Sequence, residues 1–239
     1  MDSDNERICI VTGATSGIGR AVAEQLVGAG EKVTVTGRRQ ERLEEFVGRH
    51  QESEVLSVPG DIRFPEVNRE VVEKTVSKWG TINTIVLSAG IGKYGSIEDY
   101  SDEEIKELLD TNLASTIWMI RAALPFFPPA GGDIVIISSV AGVRGGDNEG
   151  VYAATKAAQI ALAGSLDREL LKRNIRVTTI LPGSTETEFA VGAGRTENQA
   201  DAYEWLRAKD VADAVLFALK QPRSMRTVQW SLLSVAHSS

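Results

Sequence analysis

Hydrophobic and polar positions alternate in blocks along most of the chain. Short runs of apolar and β-branched residues are each followed by a longer segment in which apolar residues recur every three or four positions. Short continuous apolar runs are typical of strands buried on both faces, and the longer period is typical of amphipathic helices. The predicted strands are 7–12, 32–36, 54–59, 84–87, 134–137, 176–181 and 227–234, and the predicted helices are 18–29, 40–50, 65–79, 101–123, 152–173 and 209–219. This alternation predicts an α/β fold, a doubly wound parallel sheet of about seven strands with right-handed crossovers and helices on both faces.

Helix boundaries are marked by ordinary start and stop signals. Gly30 follows the first helical segment, as glycine often does after a helix end. Ser101 and Glu104 have the spacing of a capping box at a helix start, and Pro125 marks the end of that helix. No repeat, linker or change of composition divides the chain, so we expect residues 1–239 to form a single domain.

Composition excludes several classes of function. The net charge is −7 and no basic stripe is present, which argues against nucleic-acid binding. No apolar run approaches the ~20 residues that span a bilayer, and the start of the chain is polar and acidic, so we expect a cytoplasmic protein without membrane contact. Cys9 is the one cysteine, which rules out an intrachain disulfide and suggests a small core residue. With only His50 and His237 as histidines, we expect no metal site.

A glycine-rich turn joins the first predicted strand to the first predicted helix. Gly13, Gly17 and Gly19 lie in this turn, in the order strand, turn, helix that gives such a motif its meaning. The glycines allow a tight turn and close approach of a ligand, and the helix N-terminus offers N–H groups to a pyrophosphate. We therefore predict dinucleotide binding by the turn, with contributions from Thr15, Ser16 and Ile18.

The end of the second predicted strand indicates which nucleotide is bound. An NAD site usually has an acidic residue at this position, whereas this chain has Arg38 and Arg39 directly after Gly37. A guanidinium fork suits a 2′-phosphate, so we expect NADP(H) in preference to NAD(H). Arg38 is the favoured phosphate ligand. The alternative for Arg39 is a solvated residue that opens the next helix alongside Glu41 and Glu45.

Three further strand ends carry small or polar residues that suit the same ligand. Asp61 and Ile62 follow the third strand and would lie near an adenine ring, although Asp61 has a structural alternative as a helix cap. Small residues after the fourth strand would allow close approach to a ribose, and those after the sixth would suit a carboxamide. These candidate cofactor-binding residues are Ser88, Ala89, Gly90, Pro182, Gly183, Thr185 and Thr187.

A tyrosine and a lysine provide the candidate chemistry. Tyr152 and Lys156 are four residues apart in a predicted helix, so their side chains share a face. A phenol has a pKa of about 10, and a nearby ammonium favours its ionised form, so the pair is suited to general acid/base work. Ser139 closes a predicted strand thirteen positions before the tyrosine. The structural alternative is a half-buried aromatic residue beside a solvated lysine. For Asn112, mid-helix, the alternatives are a satisfied core amide and an amide that holds a catalytic water.

Taken together, the chain resembles the short-chain dehydrogenase/reductase family along nearly its whole length, in the branch with subunits of about this size. The matching features are the 12–19 glycine motif, Ala89-Gly90, Asn112, Ser138-Ser139, the Tyr152–Lys156 pair and Pro182-Gly183. Three departures stand out: Ser88 replaces the usual asparagine of an Asn-Asn-Ala-Gly motif, Thr185 stands where valine or isoleucine is common, and the frequent C-terminal Val-Asp-Gly-Gly is absent. The last segment often helps to build a tetramer, so a homodimer and a homotetramer both remain open.

The resemblance implies a mechanism. Tyr152 would exchange a proton with the carbonyl or alcohol oxygen, and Ser139 would bond that oxygen. Lys156 would lower the pKa of the tyrosine and hold the ribose of the nicotinamide nucleotide. Asn112 would hold a water that relays protons to Lys156. Hydride would pass between the nicotinamide and the substrate carbon.

The expected activity is that of an NADP(H)-dependent carbonyl reductase or alcohol dehydrogenase acting on a small molecule. Within the same family the alternatives are a 3-oxoacyl thioester reductase and a reductase of small free hydroxy acids or ketones. From another class, the alternative is an NADP(H)-sensing protein without turnover, which would usually lack the tyrosine or the lysine. Lys93, Arg144 and Arg195 are candidates for steering an anionic substrate, although ordinary solvated charges are the favoured interpretation.

Overall fold

The computed structural model describes residues 6–195 and 205–235, and a seven-stranded parallel sheet forms its centre. The strand order is β3-β2-β1-β4-β5-β6-β9, with every neighbouring pair parallel. The strands of this sheet are β1 Ile8–Thr12, β2 Lys32–Gly37, β3 Val55–Pro59, β4 Thr84–Leu87, β5 Gly132–Ile137, β6 Ile175–Pro182 and β9 Gln229–Leu232. A separate pair of two-residue strands consists of β7 Thr185–Glu186 and β8 Leu206–Arg207. The predicted doubly wound α/β sheet is confirmed.

Helices cover both faces of this sheet. The α-helices are α1 Gly17–Gly28, α2 Gln40–Val47, α3 Pro65–Trp79, α4 Asp102–Leu109, α5 Ser115–Ala123, α6 Gly150–Leu170 and α7 Ala208–Lys220. Apolar residues of α1, α2 and α7 form the core on one face, and those of α3, α5 and α6 form the core on the other. Successive side chains of a strand point to opposite faces, so β1 sends Cys9 and Val11 into the first core and Ile10 into the second. This burial on both faces explains why the strands are continuous apolar runs.

Topology places a cleft at the carboxyl ends of the strands. β1 pairs with β2 on one side and with β4 on the other, so the strand order reverses between β1 and β4. In open α/β sheets, ligands bind in the crevice at such a reversal. Thr12 Oγ1 closes the gap between the two strand ends by accepting hydrogen bonds from the N–H groups of Ser88 and Ala89, both at 3.1 Å.

Asp133 joins charged side chains near the amino end of β5. Its carboxylate accepts from Arg176 Nε at 2.6 Å, from Arg7 Nη1 at 2.7 Å and from Arg223 Nη1 at 3.2 Å. Asp133 and Arg176 are both buried. This cluster connects β5 and β6 to Arg7, which precedes β1, and to Arg223, which follows α7. It lies at the amino ends of the strands, opposite the cleft.

One predicted helix is interrupted. The segment predicted as continuous from 101 to 123 consists of α4, a π-helical turn at Asp110–Ala114 and α5. Two hydroxyls bond back to main-chain carbonyls inside it: Ser115 Oγ donates to Thr111 O at 2.6 Å, and Thr116 Oγ1 donates to Asn112 O at 3.0 Å. Such back-bonding competes with the regular helical pattern and accompanies local distortion of helices. The prediction of one regular helix was therefore wrong at its centre.

Other differences concern element ends. The helix predicted to continue to 173 gives way at Leu170 to a 3₁₀ turn, and the last strand is shorter than predicted. His237 lies outside the described residues. Within the described ranges, no helix is long and apolar enough to cross a membrane. The same residues contain no group of three or more histidine, cysteine or acidic side chains arranged to hold a metal ion.

Candidate active site

A cleft of about 1180 Å³ opens along the carboxyl ends of the strands and brings most of the predicted site together. Every residue predicted to bind the cofactor or to act in catalysis lines this cleft, with the exception of Asn112. Sequence-distant segments therefore meet at one place, as the shared strand ends require.

The glycine turn fits closely against the neighbouring loops. Gly13 has a positive φ of 69°, and a Cβ there would lie 2.8 Å from the Ala89 main chain. A Cβ at Gly19 would lie 2.5 Å from the carbonyl oxygen of Gly13. Both positions therefore require glycine, so that α1 can begin directly at the end of β1. The N–H groups at the start of α1 consequently face the cleft, where an anionic group is stabilised.

The two arginines after β2 have different surroundings. Arg39 is anchored, because its guanidinium donates to Thr15 Oγ1 at 2.9 Å, to Ser16 Oγ at 2.6 Å and to Glu188 Oε2 at 2.6 Å. Arg38 is 57% exposed at its side chain, and its ion pair with Glu107 is long, at 3.8 Å. Arg39 does open the next helix, because it is the N-cap residue of α2, and its side chain is 44% exposed. Its guanidinium bonds to the glycine turn and to Glu188 and not to Glu41 or Glu45. Arg38 has the more exposed side chain of the two.

Asp61 is held by its neighbour. The carboxylate accepts from Arg63 Nη2 at 2.6 Å and from the Arg63 main-chain N–H at 3.0 Å. Helix α3 starts after Phe64, which makes no side-chain capping bond, so the alternative of Asp61 as its cap is wrong. Asp61 and Ile62 both line the cleft.

Ser139 and Ser138 divide their roles as alternation along a strand predicts. Ser138 Oγ is buried and donates to the main-chain oxygen of Lys156 at 2.9 Å, which fixes helix α6 against the sheet. Ser139 lines the cleft, and its Oγ accepts from Ala141 N at 3.1 Å. The same Oγ donates to Pro182 O at 3.5 Å, and it lies near enough to the phenol of Tyr152 to act against the rise of that group's pKa. The serine thirteen residues before the tyrosine is thus the one that meets it.

Burial shifts the pKa values of the tyrosine and the lysine in opposite directions. Tyr152 is 5% exposed, and this burial, together with the nearby Tyr94, raises its pKa, although the hydroxyl of Ser139 opposes the shift. Burial lowers the pKa of Lys156 to about 7. Lys156 Nζ lies 5.7 Å from the ring centroid of Tyr152, and burial outweighs any lowering of the Tyr152 pKa by this lysine. The physical reason is desolvation, which disfavours the charged form of both groups.

Lys156 is held from behind by two acceptors. Its Nζ donates to Ile137 O at 3.1 Å and to Gln159 Oε1 at 3.1 Å. An ammonium has three N–H donors, so these bonds leave one for the cleft. Gly90 lies against the same group, because a Cβ there would be 3.5 Å from Lys156 Nζ.

Asn112 lies behind the wall of the cleft and is fully buried. Its Oδ1 accepts from Ile91 N at 2.8 Å, and its Nδ2 donates to Ile91 O at 2.9 Å and to Thr155 Oγ1 at 3.0 Å. The side chain is therefore a satisfied amide that clamps the loop after β4. Of the two alternatives that the sequence left open, the structure favours this one.

The main-chain oxygen of Asn112 is also engaged. It accepts from Gln159 Nε2 at 2.6 Å and from Thr116 Oγ1 at 3.0 Å. A carbonyl oxygen has two lone pairs, so protein donors use both. This arrangement differs from the water-holding role that the resemblance implied, because the Gln159 amide connects the Asn112 carbonyl to Lys156.

The loop after β6 reaches back to the glycine turn. Gly183 N donates to Leu232 O at 2.8 Å, and Thr185 Oγ1 donates to Gly183 O at 3.0 Å. Thr187 packs against Gly17, where a Cβ would lie 3.0 Å from its methyl group. The loop thus forms the wall of the cleft between the glycine turn and Tyr152.

Aromatic side chains line the cleft around Tyr152. The ring centroids of Tyr94 and Phe189 lie 5.9 and 5.6 Å from that of Tyr152. The guanidinium carbon of Arg195 lies 4.8 Å from the ring centroid of Trp205, 5.5 Å from that of Phe189 and 5.8 Å from that of Tyr94. Arg195 is half-buried, which differs from the expectation of an ordinary solvated charge.

Sequence reasoning missed Gln159 and the aromatic wall. Gln159 follows Lys156 by three residues on α6, and a single amide among small apolar residues was a usable signal. Tyr94, Phe189 and Trp205 gave no such signal, because they come from segments without periodicity.

Comparisons with known proteins agree with this geometry. A family model described as short chain dehydrogenase matches residues 7–198. An uncharacterized oxidoreductase of Staphylococcus saprophyticus is 36% identical over 221 residues, which are 91% of this chain and 92% of that protein. An uncharacterized oxidoreductase of Staphylococcus aureus strain USA300 is 32% identical over 219 residues, covering 91% of this chain and 93% of the other.

Two solved structures show the same fold over nearly the whole chain. The closed form of a serine dehydrogenase complexed with NADP+ superposes with a TM-score of 0.90 at 29% identity, covering 97% of this chain and 96% of that one. An alcohol dehydrogenase from the archaeon Thermococcus sibiricus, complexed with 5-hydroxy-NADP, superposes with a TM-score of 0.89 at 27% identity, covering 98% and 99%.

Proposed function

The chain belongs to the short-chain dehydrogenase family of oxidoreductases, and from that premise we propose that it transfers hydride between NADP(H) and a small carbonyl or secondary alcohol substrate, with Tyr152 as the general acid/base. The observation that carries the proposal is the meeting of Ser139, Tyr152 and Lys156 in the cleft that the glycine turn lines. Each comes from a different part of the fold: a strand end for the serine, and one face of α6 for the other two.

The cleft fits a dinucleotide on its own geometry. The glycine turn and the first residues of α1 line the cleft, and the N-terminus of a helix offers main-chain N–H groups to a pyrophosphate. Arg38 supports binding of NADP(H) in preference to NAD(H), since its accessible guanidinium lies beside the turn. The two similar structures described above were solved with NADP+ and 5-hydroxy-NADP, which agrees with this choice.

Each residue has a defined part in the proposed chemistry. The bound nicotinamide would supply or accept the hydride. Tyr152 would donate its proton to the carbonyl oxygen during reduction. Burial raises the pKa of this phenol and so opposes its ionisation, whereas the ammonium of Lys156, 5.7 Å from the ring centroid, would favour the phenolate that forms. Ser139 would donate a hydrogen bond to the same oxygen, and Lys156 would hold the ribose of the nucleotide with its remaining N–H group. Asn112 would act indirectly, by fixing the loop at Ile91.

Three expectations remain predictions alongside this activity. They are a single domain over the whole chain, a cytoplasmic location, and assembly as a homodimer or homotetramer. The alanines on the outer face of α6 support assembly, because small side chains allow another helix to approach closely, and they are partly or fully exposed. These residues are Ala153, Ala154, Ala157, Ala158 and Ala161.

Two alternatives differ in what they require. A 3-oxoacyl thioester reductase would use the same three residues with a different substrate. An NADP(H)-sensing protein without turnover would need no proton donor, and the presence of both Tyr152 and Lys156 in the cleft favours the enzyme.

The test is Tyr152→Phe, with consumption of NADPH followed by absorbance against a panel of ketones, keto acids and acyl thioesters. We expect turnover to fall by a factor of about 100 or more, because the proton donor is lost, while NADPH binding measured by fluorescence stays within about twofold. Tyr100→Phe is the matched control, since that hydroxyl only donates to Lys93 O at 2.6 Å. Unchanged turnover in Tyr152→Phe would contradict the acid/base role. A wild-type protein that binds NADPH but reduces no member of the panel would favour the sensing alternative.

A further inference from the structure

Arg195 lies one aromatic ring away from the proposed proton donor. Phe189 and Tyr94 each contact the ring of Tyr152 on one side and the guanidinium of Arg195 on the other. Trp205 covers Arg195 at 4.8 Å. All five side chains line the same cleft, so the cation faces the space in which a substrate would meet Tyr152.

The charge of Arg195 is not neutralised by the described part of the chain. None of the ion pairs among residues 6–195 and 205–235 includes Arg195, whereas Lys93 on the same wall pairs with Glu104 and Arg39 pairs with Glu188. The rings stabilise a cation without removing its charge. A guanidinium carries five N–H donors. Arg195 lies near enough to the hydroxyl of Tyr94 to oppose the rise of its pKa, and this contact leaves further donors of Arg195 available among the described residues.

A half-buried cation with spare donors is a binding site for an anion. The planar fork of arginine matches a carboxylate in two parallel hydrogen bonds, and the aromatic walls strengthen such a pair by excluding water. In a 3-oxoacyl thioester, the group next to the reacting carbonyl is neutral and would leave the charge unpaired. In a short keto acid or hydroxy acid, a carboxylate lies within a few bonds of the reacting carbon.

We propose that Arg195 binds the carboxylate of the substrate, so that the physiological substrate is a small hydroxy acid or the corresponding keto acid. This inference rests on the proposed function, because it requires the reacting carbonyl to lie at Tyr152. Of the substrate classes that the sequence left open, the inference favours the small hydroxy acids. Tyr94, Phe189 and Trp205 would orient the ion pair between Arg195 and the carboxylate and shield it from water.

The experiment compares acids with their methyl esters, which have the same reacting carbonyl. Acetoacetate and methyl acetoacetate form one pair, and pyruvate and methyl pyruvate form another, each reduced with NADPH. We expect the wild-type protein to prefer the acids, and Arg195→Leu to lower kcat/KM for the acids by about ten- to a hundredfold while changing that for the esters by less than about threefold. Arg195→Lys keeps the charge and should restore part of the loss.

Arg144→Leu is the matched control, because it removes an exposed cation from the rim of the same cleft. It should leave the ratio of acid to ester unchanged. Equal losses for acids and esters in Arg195→Leu, or a wild-type protein that shows no preference for acids, would overturn the inference while leaving the proposed function intact. A wild-type protein that reduces neither acids nor any neutral ketone would instead count against the proposed function.

Discussion

Gln159→Leu tests how the protein holds the ammonium of Lys156. Gln159 is fully buried and bridges two groups, with its Oε1 accepting from Lys156 Nζ at 3.1 Å and its Nε2 donating to Asn112 O at 2.6 Å. Leucine has a similar size but neither donor nor acceptor. The substitution therefore leaves the ammonium with Ile137 O as its protein acceptor.

The size of the effect follows from the lost bond. A hydrogen bond to a charged group contributes ~1.5–3 kcal/mol, and one pKa unit corresponds to ~1.4 kcal/mol. Burial already lowers the pKa of Lys156 to about 7, so Gln159→Leu should lower it further by about one to two units. Gln159→Glu places a carboxylate at the same position and should raise the pKa instead.

Two measurements check this prediction. Carbon-13 NMR of labelled lysine gives the pKa of Lys156 in the nucleotide-free protein, independently of turnover. The pH dependence of kcat/KM for reduction should show its alkaline limb at a lower pH in Gln159→Leu, because the charged lysine is lost earlier as the pH rises.

The lowered pKa of Lys156 also predicts how the free energy of unfolding depends on pH. The pKa of Lys156 is lower in the folded protein than in the unfolded chain, where it is about 10.4, so the unfolded state binds more protons between these values. The contribution of Lys156 to the free energy of unfolding therefore rises as the pH increases from about 7 to about 10. Lys156→Met should abolish this component.

Thr116→Val is the control that distinguishes an effect of Gln159 on the pKa of Lys156 from a loss of stability in the core. It removes a hydroxyl 3.0 Å from Gln159 Nε2 but leaves the contact between Gln159 and Lys156. We expect a loss of stability of ~1 kcal/mol with no change in the pKa of Lys156. If Gln159→Leu lost stability in the same way and left that pKa unchanged, the bridge would be structural only and the reasoning would be refuted.

Two further predictions concern the nucleotide and the fold. Arg38→Ala should weaken NADPH binding by about ten- to a hundredfold and NADH binding by less than about threefold in fluorescence titrations. Arg39→Ala should weaken the binding of both nucleotides, because it removes hydrogen bonds to the glycine turn. Equal losses of NADPH and NADH binding in Arg38→Ala would contradict the 2′-phosphate role. Asp133→Asn should lower the free energy of unfolding in urea by ~3–5 kcal/mol, because it leaves buried guanidinium groups without their carboxylate. Glu70→Gln, in an exposed pair with Lys74, should change it by less than ~1 kcal/mol, and a similar small change in Asp133→Asn would show that the buried cluster adds little.

Much of the fold could be predicted because its signals are local. The runs 8–12 and 84–87 are strands of the central sheet that are buried on both faces. Because both faces are buried, every position in them is apolar or small, and this pattern is visible in the sequence. Gly13, Gly17 and Gly19 occur where a strand must turn directly into a helix. Tyr152 and Lys156 share a face because four residues make about one helical turn.

The wall of the cleft could not be predicted in the same way. Tyr94, Phe189, Arg195 and Trp205 come from irregular segments, in which no periodicity fixes the direction of a side chain. The π-helical turn at 110–114 depends on hydroxyls that bond back to the main chain, and its residues have the composition of an ordinary helix.

The sequence by itself determined the doubly wound sheet, the position of the glycine turn and the pairing of Tyr152 with Lys156. These features depend on contacts between residues a few positions apart, or on the burial of whole elements. Only the tertiary structure decided the direction in which the pKa of each member of that pair shifts, the engagement of the Asn112 carbonyl by Gln159, and the partial burial of Arg195 among aromatic rings. Desolvation and hydrogen bonding between distant segments set these properties, and both depend on which atoms surround a group after the chain has folded.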